Sequence, residues 1–255
     1  MKIIKIIASF LLVLGILTLM VWAGIRTNDQ TSTGISIVIH APEESELLSK
    51  SDILNILKQA GTEWEGKKIK EIDLTSIKKI LAQENYIKSV DKVHFSGSKL
   101  QIEITLYDIL LEVNAKDGQK FLLDVNGTYL PYSPKAGNDV IVVNGFIPNT
   151  FRKDEIITPG SNELYALFSV ASLIKKDPFY SDLFRNLHIC GKQEITLYPS
   201  AGKLPVLFGT MQNAEKKLKT LKHMYKEVLP YMNDDKYAQL DVRFENRIVA
   251  TKTKS

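Results

Sequence analysis

The chain has 255 residues, with 33 lysines and arginines against 29 aspartates and glutamates, for a formal net charge of +4. Its 44% hydrophobic and 24% charged residues are those of a globular chain, which excludes a disordered polymer, a collagen, a coiled-coil rod and a multi-span membrane protein. A single cysteine excludes a disulfide framework and a cysteine zinc cluster, and the length suits one large domain or two modest ones.

The average conceals a local extreme. Residues 6–25, IIASFLLVLGILTLMVWAGI, carry no charge. As a helix rising ~1.5 Å per residue they span about 30 Å, the thickness of a bilayer core. Trp22 lies near one end, where an amphipathic ring suits the interface. Signal-peptide cores run about 7–15 residues, so the length favours an uncleaved anchor over a signal cleaved after Val21-Trp22-Ala23. Lys2 and Lys5 precede the run and Arg26 follows it, so the positive-inside rule puts residues 1–5 in the cytoplasm and the body of the chain outside. These bases account for most of the net charge, which is therefore a topology signal and not a nucleic-acid footprint.

Residues 26–34 are polar and read as a linker. Ile35, Ile37 and Ile39 then alternate with Ser36, Val38 and His40, a strand pattern. Ser49 or Ser51 caps a helix carrying Ile53, Leu54, Leu57 and Ala60, stopped by Gly61, and Asp73 caps a second helix with Leu74, Ile77 and Leu81 on one face. Val90–Phe95 and Leu100–Leu106 flank Ser96-Gly97-Ser98, a hairpin signal. The order β-α-α-β-β over residues 35–106 predicts a small α+β domain in which two helices cover one face of a three-stranded sheet.

Residues 107–255 read as a mainly antiparallel β domain with two helices. Strands are expected at Leu110–Val113, Phe121–Asp124, Val140–Val143, Leu187–Cys190, Glu194–Tyr198, Val206–Phe208, Leu240–Phe244 and Arg247–Thr251. Asp117-Gly118, Asn126-Gly127 and Glu245-Asn246 mark turns. Leu164, Leu167, Phe168, Ala171 and Ile174 form one helical face, ended by Asp177-Pro178. Ala214, Leu218, Leu221, Tyr225 and Val228 form another, ended near Pro230.

Signals for chemistry are sparse. The segment from Gly61 to Lys68 matches a phosphate-binding loop except at its last position, where Lys68 replaces the hydroxyl that holds magnesium, and Glu63 and Glu65 would repel a phosphate. No HExxH or Gly-x-Ser-x-Gly pattern occurs. His188 and Cys190 share a strand face; a small thiol beside an interfacial histidine is the simpler reading than a nucleophile with its base. Lys219, Lys222 and Lys226 form a stripe at i, i+3, i+7, either a solvated face or a dock for an acidic partner or lipid headgroups. The last two strands form a tight hairpin. Its outer edge is either open to strand addition by another chain or capped by the charged tail Lys252–Lys254.

The chain resembles the FtsQ/DivIB family of bacterial cell-division proteins, whose members have a short cytoplasmic tail, one anchor, a POTRA-type domain and a β domain. The residues that carry the resemblance in the first domain are Asn85-Tyr-Ile-Lys-Ser-Val90-Asp-Lys-Val93 and Gly97-x-x-Leu100-x-Ile102. In the second they are Phe121-Leu-Leu-Asp124-x-x-Gly127-x-x-Leu130-Pro131, Glu194-Ile-x-Leu197, Val206-Leu-Phe-Gly209, Lys217-Leu218 and Asp241-Val-Arg243-Phe244. The chain departs from the family pattern at Tyr86, at Tyr107-Asp108-Ile109, at His40-Ala41-Pro42 and at Lys252, where some members carry an aromatic anchor.

The resemblance implies a non-enzymatic scaffold in the cytoplasmic (inner) membrane, with its domains in the periplasm and enriched at the septum. It implies no cofactor, no nucleic acid and no small-molecule substrate. Implied partners are FtsB/DivIC-like and FtsL-like division proteins, with other divisome members at the POTRA-type domain. By position, strand addition implicates Arg243, Phe244, Ile248, Val249, Ala250 and Thr251, with Arg243 pairing with a partner carboxylate and Lys219, Lys222 and Lys226 flanking the edge. A POTRA-bearing chaperone or transport component, and an anchored periplasmic hydrolase, are the alternatives.

Overall fold

A computed structural model describes residues 11–20, 30–42, 45–137, 139–148, 151–160, 162–200, 204–231, 236–244 and 247–252. The expected anchor over residues 6–25 lies half outside them. Residues 11–20 are helical, and among the described residues no helix is long and apolar enough to cross a membrane. Contacts divide the chain into two units, one of Met1–Ala41 with Leu48–Leu106 and one of Pro42–Leu47 with Tyr107–Ser255.

The first unit runs β1 (Gly34–His40), α1 (Lys50–Gln59), a 3-10 turn at Ile69–Glu71, α2 (Leu74–Ala82), β2 (Ile87–Ser96) and β3 (Lys99–Leu106). Ser49 and Asp52 form a reciprocal cap at the start of α1, Asp52 N–H donating to Ser49 Oγ at 3.2 Å and Ser49 N–H to Asp52 Oδ2 at 2.8 Å. Asp73 accepts from the N–H groups of Thr75 and Ser76 at the start of α2. Gly97, at φ +59, turns β2 into β3 in the left-handed conformation that glycine adopts without steric penalty.

The strand order is β1-β3-β2, with β1 parallel and β2 antiparallel to β3. Leu100, Ile102 and Ile104 alternate onto one face of β3, and they are fully buried, as are Ile53 and Leu57 of α1 and Ile77 and Leu81 of α2. Complete burial of each such side chain is worth ~1.5–3 kcal/mol.

The expected linker at 26–34 is tied down in its described part. Ser32 N–H donates to Lys67 O at 2.8 Å, Gly66 N–H to Ser32 O at 2.9 Å and Ile69 N–H to Gln30 O at 3.0 Å. Polarity suggested a tether, but these backbone groups find partners in the loop after α1. That loop, the decoy phosphate motif, follows a helix and leads to a 3-10 turn, and its Glu63 pairs with Lys67 at 2.9 Å.

The second unit contains β4 (Ile109–Asn114), β5 (Lys120–Asp124), β6 (Tyr129–Pro131), β7 (Ile141–Gly145), α3 (Glu163–Lys175), α4 (Pro178–Leu183), β8 (Phe184–Ile189), β9 (Ile195–Pro199), β10 (Val206–Gly209), α5 (Ala214–His223), β11 (Tyr237–Asp241) and β12 (Val249–Lys252). After α5 the chain continues through a π turn at Met224–Val228 and a 3-10 turn at Leu229–Tyr231. Among the described residues the strands form one nine-stranded sheet, β12-β11-β10-β9-β8-β7-β4-β5-β6. Its core includes Leu164, Leu167, Val170 and Ile174 of α3, Leu218 and Leu221 of α5, and Val143, Leu187, Leu197, Phe208 and Leu240 of the strands.

Several expectations need correction. The sheet is mainly antiparallel, as expected, but not wholly so: β4–β7, β7–β8 and β10–β11 pair in parallel. Asp177-Pro178 ends α3 but also starts α4, since Asp177 accepts from Phe179 N–H and proline suits a first helical turn. Among the described residues three α-helices therefore replace the expected two. β6 was not foreseen. The last strand pair is displaced from the expected 240–244 and 247–251 to Tyr237–Asp241 and Val249–Lys252, and residues 242–248 separate them, so the hairpin is wide and not tight. The expected turn pair Glu245-Asn246 lies outside the described residues.

Candidate partner-binding edge

β12 is the outermost strand at one end of the large sheet. Among the described residues it pairs only with β11, in the register Asp241↔Val249, Leu240↔Ala250, Gln239↔Thr251 and Tyr237↔Lys252. Its other side carries no strand among the described residues, which leaves backbone donors and acceptors on that side available for pairing. The faces alternate: Ile248 and Ala250 pack on the core, while Val249, 41% exposed, and Thr251 point away from it. The strand is short and ends on exposed Lys252, features that keep an open edge from indiscriminate aggregation.

The approach to β12 is built by segments far apart in sequence. Arg243 is its centre. Its backbone N–H and its Nε both donate to Asp241 Oδ1 at 3.0 Å, and its NH2 donates to Oδ2 at 2.7 Å. NH1 donates to Glu194 Oε1 at 3.2 Å. Burial works against the charge of Asp241, but hydrogen bonds from the Arg243 side chain and backbone hold its carboxyl below the usual carboxylate range. The same Asp241 hydrogen bond raises the Arg243 guanidinium above its ordinary value.

This pairing explains the strand displacement. Asp241 gathers the N–H and guanidinium of Arg243, so the chain leaves the β11–β12 ladder after Asp241. Val242 N–H still reaches Leu207 O at 3.0 Å. Gly209, at φ +73, lies under the Arg243 stem, and a Cβ there would stand 2.8 Å from Arg243 Cγ.

Phe244 is 44% exposed, with the Arg247 guanidinium 4.9 Å from its ring centroid. A groove of about 310 Å³ separates these residues from α5, whose Lys216, Lys217 and Thr220 line the opposite side. Lys217 is committed within the chain, donating from Nζ to Phe208 O at 3.1 Å and Thr210 O at 2.9 Å, and burial lowers its pKa.

Two of the three lysines expected to flank the edge pack elsewhere. Lys222 pairs with Asp177 and lies over the rings of Phe179 and Tyr180, and Lys226 lies over Phe179 at 5.6 Å. The Lys222 hydrogen bond lowers the pKa of Asp177. Buried Tyr180, donating to Leu218 O at 2.7 Å, has its pKa pushed up to about 12 by desolvation. Lys219 is exposed. The stripe is thus divided: two members pack on α4, and the helix presents Lys216 and Lys217 to the groove. Sequence periodicity located the basic helix but not which face meets the sheet edge, because the neighbours that decide it come from β10 and the α3–α4 corner.

His188 and Cys190 are placed apart from this edge in the sheet order. His188 Nδ1 lies 2.6 Å from Asn144 Oδ1 on the adjacent strand, and Cys190 is half-buried at the β8–β9 turn. No group of three or more His, Cys, Asp or Glu able to hold a metal occurs among the described residues.

Glu194, Gly209, Lys217, Asp241 and Arg243 therefore converge on one corner from four separated segments. These are the segments that carry the resemblance noted from the sequence. Residues 110–251 match the family model described as FtsQ/DivIB, C-terminal related, and residues 30–105 match that of a POTRA-like domain. No curated protein matches the chain. The first match spans more than half of the chain, and with the second it accounts for both units. The chain belongs to the FtsQ/DivIB family.

Proposed function

We propose that the protein is a single-pass membrane scaffold of the bacterial divisome, linking early division proteins to septal wall synthesis. The family is one of non-enzymatic division scaffolds, and membership supports this reading. Residues 6–25 anchor the chain in the cytoplasmic membrane, and the charge asymmetry of Lys2 and Lys5 against Arg26 places both units outside the cytoplasm. An FtsB/DivIC-like protein adds a strand to β12, with an FtsL-like protein in the same assembly and other divisome members at the POTRA-like domain.

The observation that carries this reading is the outermost position of β12 with its second side unpaired among the described residues. Backbone pairing supplies affinity in strand addition, and the outward side chains Val249 and Thr251, with Phe244 beside them, supply selectivity. The test is capture of the FtsB/DivIC-like protein of the same genome by full-length protein carrying Phe244→Asp. Capture is lost while thermal unfolding stays at the wild-type midpoint. Unchanged capture overturns the edge model. A fluorescent fusion of the wild type forms a midcell band; a uniform envelope signal contradicts the division role.

A further inference from the structure

Among the described residues four cationic side chains line the groove beside β12, and they are not equivalent. Lys217 is spent on two backbone carbonyls. Arg243 directs Nε and NH2 to Asp241 and NH1 to Glu194, while its stem lies against Gly209. A bidentate fork closed on a nearly buried carboxylate is a fixed element, because releasing it strands the Asp241 charge at 6% exposure. By contrast, Arg247 has an aromatic ring as its partner, and Lys216 stands exposed on the facing helix; neither is paired with a carboxylate among the described residues. Among the described residues lining the groove the one carboxylate is Glu194, and it is engaged by Arg243. Among the described residues the groove therefore presents, at Arg247 and Lys216, positive charge that no carboxylate pairs, beside the first residues of β12.

We infer that Arg243 is a positioning residue, which ends β11 and fixes the chain where it leaves that strand through Asp241, Glu194 and Gly209, and that the cation meeting an acidic segment of the strand-adding partner is Arg247, held on Phe244 and faced by Lys216. This rests on the strand-addition reading above. Arg247 suits the role because a guanidinium stacked on a ring keeps its donor edges outward and loses little freedom when a carboxylate arrives. Charge at the rim of such a site acts on encounter and selectivity and is screened by salt.

The experiment uses the full-length protein in lipid nanodiscs and has two arms. Without partner, hydrogen exchange is measured at the β12 amides of residues 249–252. Arg243→Gln, Arg243→Lys and Asp241→Asn each speed exchange by roughly tenfold, since lysine cannot reproduce the fork, and Arg247→Gln leaves it unchanged. In the second arm the probe is the extracytoplasmic part of the FtsB/DivIC-like protein of the same genome, titrated at low and high salt. Arg247→Gln weakens binding by about three- to tenfold at low salt and flattens the salt dependence. Wild-type exchange at β12 in Arg243→Gln overturns the positioning role. Wild-type affinity and salt dependence in Arg247→Gln overturn the assignment to Arg247. If the probe binds without slowing exchange at β12, strand addition itself fails and takes the Arg247 assignment with it, while the first arm still decides the role of Arg243.

Discussion

Lys217 Nζ donates to the main-chain carbonyl of Phe208 at 3.1 Å, tying α5 to the end of β10. A second bond, to Thr210 O at 2.9 Å, fixes the turn through Gly209 on which Arg243 rests. Hydrogen bonds from a charged donor are worth more than neutral ones, so Lys217→Ala destabilises the protein by about 1–3 kcal/mol. Urea unfolding checks this. Lys219→Ala, at an exposed position of the same helix, shifts stability by less than ~0.5 kcal/mol. Equal effects of the two substitutions would contradict the assignment of Lys217 to the fold.

Gly145 ends β7 at φ +111, and a Cβ there would lie 2.2 Å from the carbonyl oxygen of Ile189 on β8. That oxygen is already close because it accepts from Phe146 N–H at 2.8 Å. Gly145→Ala meets both an unfavourable φ and a backbone clash, and it destabilises by at least ~2 kcal/mol. A melting temperature equal to the wild type would show that the β7–β8 pairing differs from the one described.

The Asp241–Arg243 pair sets a pH dependence. The carboxyl of Asp241 titrates lower in the folded chain than in the unfolded chain. Its contribution is therefore whole above the unfolded value of about 3.9 and is lost as pH falls through the folded value. Asp241→Asn is less stable than the wild type at neutral pH, and the gap narrows at acidic pH as the wild type loses the same charge. Urea midpoints at pH 7 and near pH 3 measure the two gaps; a gap of constant size would mean that the Asp241 charge contributes nothing.

Local signals in the sequence located what local physics decides. Ser49, one of the two serines offered as the first cap, and Asp73 cap their helices, and Gly97 turns the hairpin, because each of these roles is satisfied within a few residues. The limits lay where distant residues decide. β6 spans only Tyr129–Pro131, too short for alternation to register. α4 was hidden because Asp-Pro both closes one helix and opens another. The end of β11 depends on Asp241 holding Arg243, and the face of α5 turned to the edge depends on Phe208 and Thr210 accepting from Lys217. The terminal edge was legible as an edge. Its supporting corner was not, since Glu194, Gly209 and Asp241 become neighbours only after β9, β10 and β11 are assembled.

The most direct measurement places a photo-crosslinking amino acid in the full-length protein in living cells, at Thr251 on β12 and, separately, at Tyr132 just past β6 at the opposite end of the sheet. Docking at β12 yields a covalent adduct with the FtsB/DivIC-like protein from position 251 and none from position 132. An adduct from position 132 alone, or from neither position while the two proteins still co-purify, would contradict strand addition at β12.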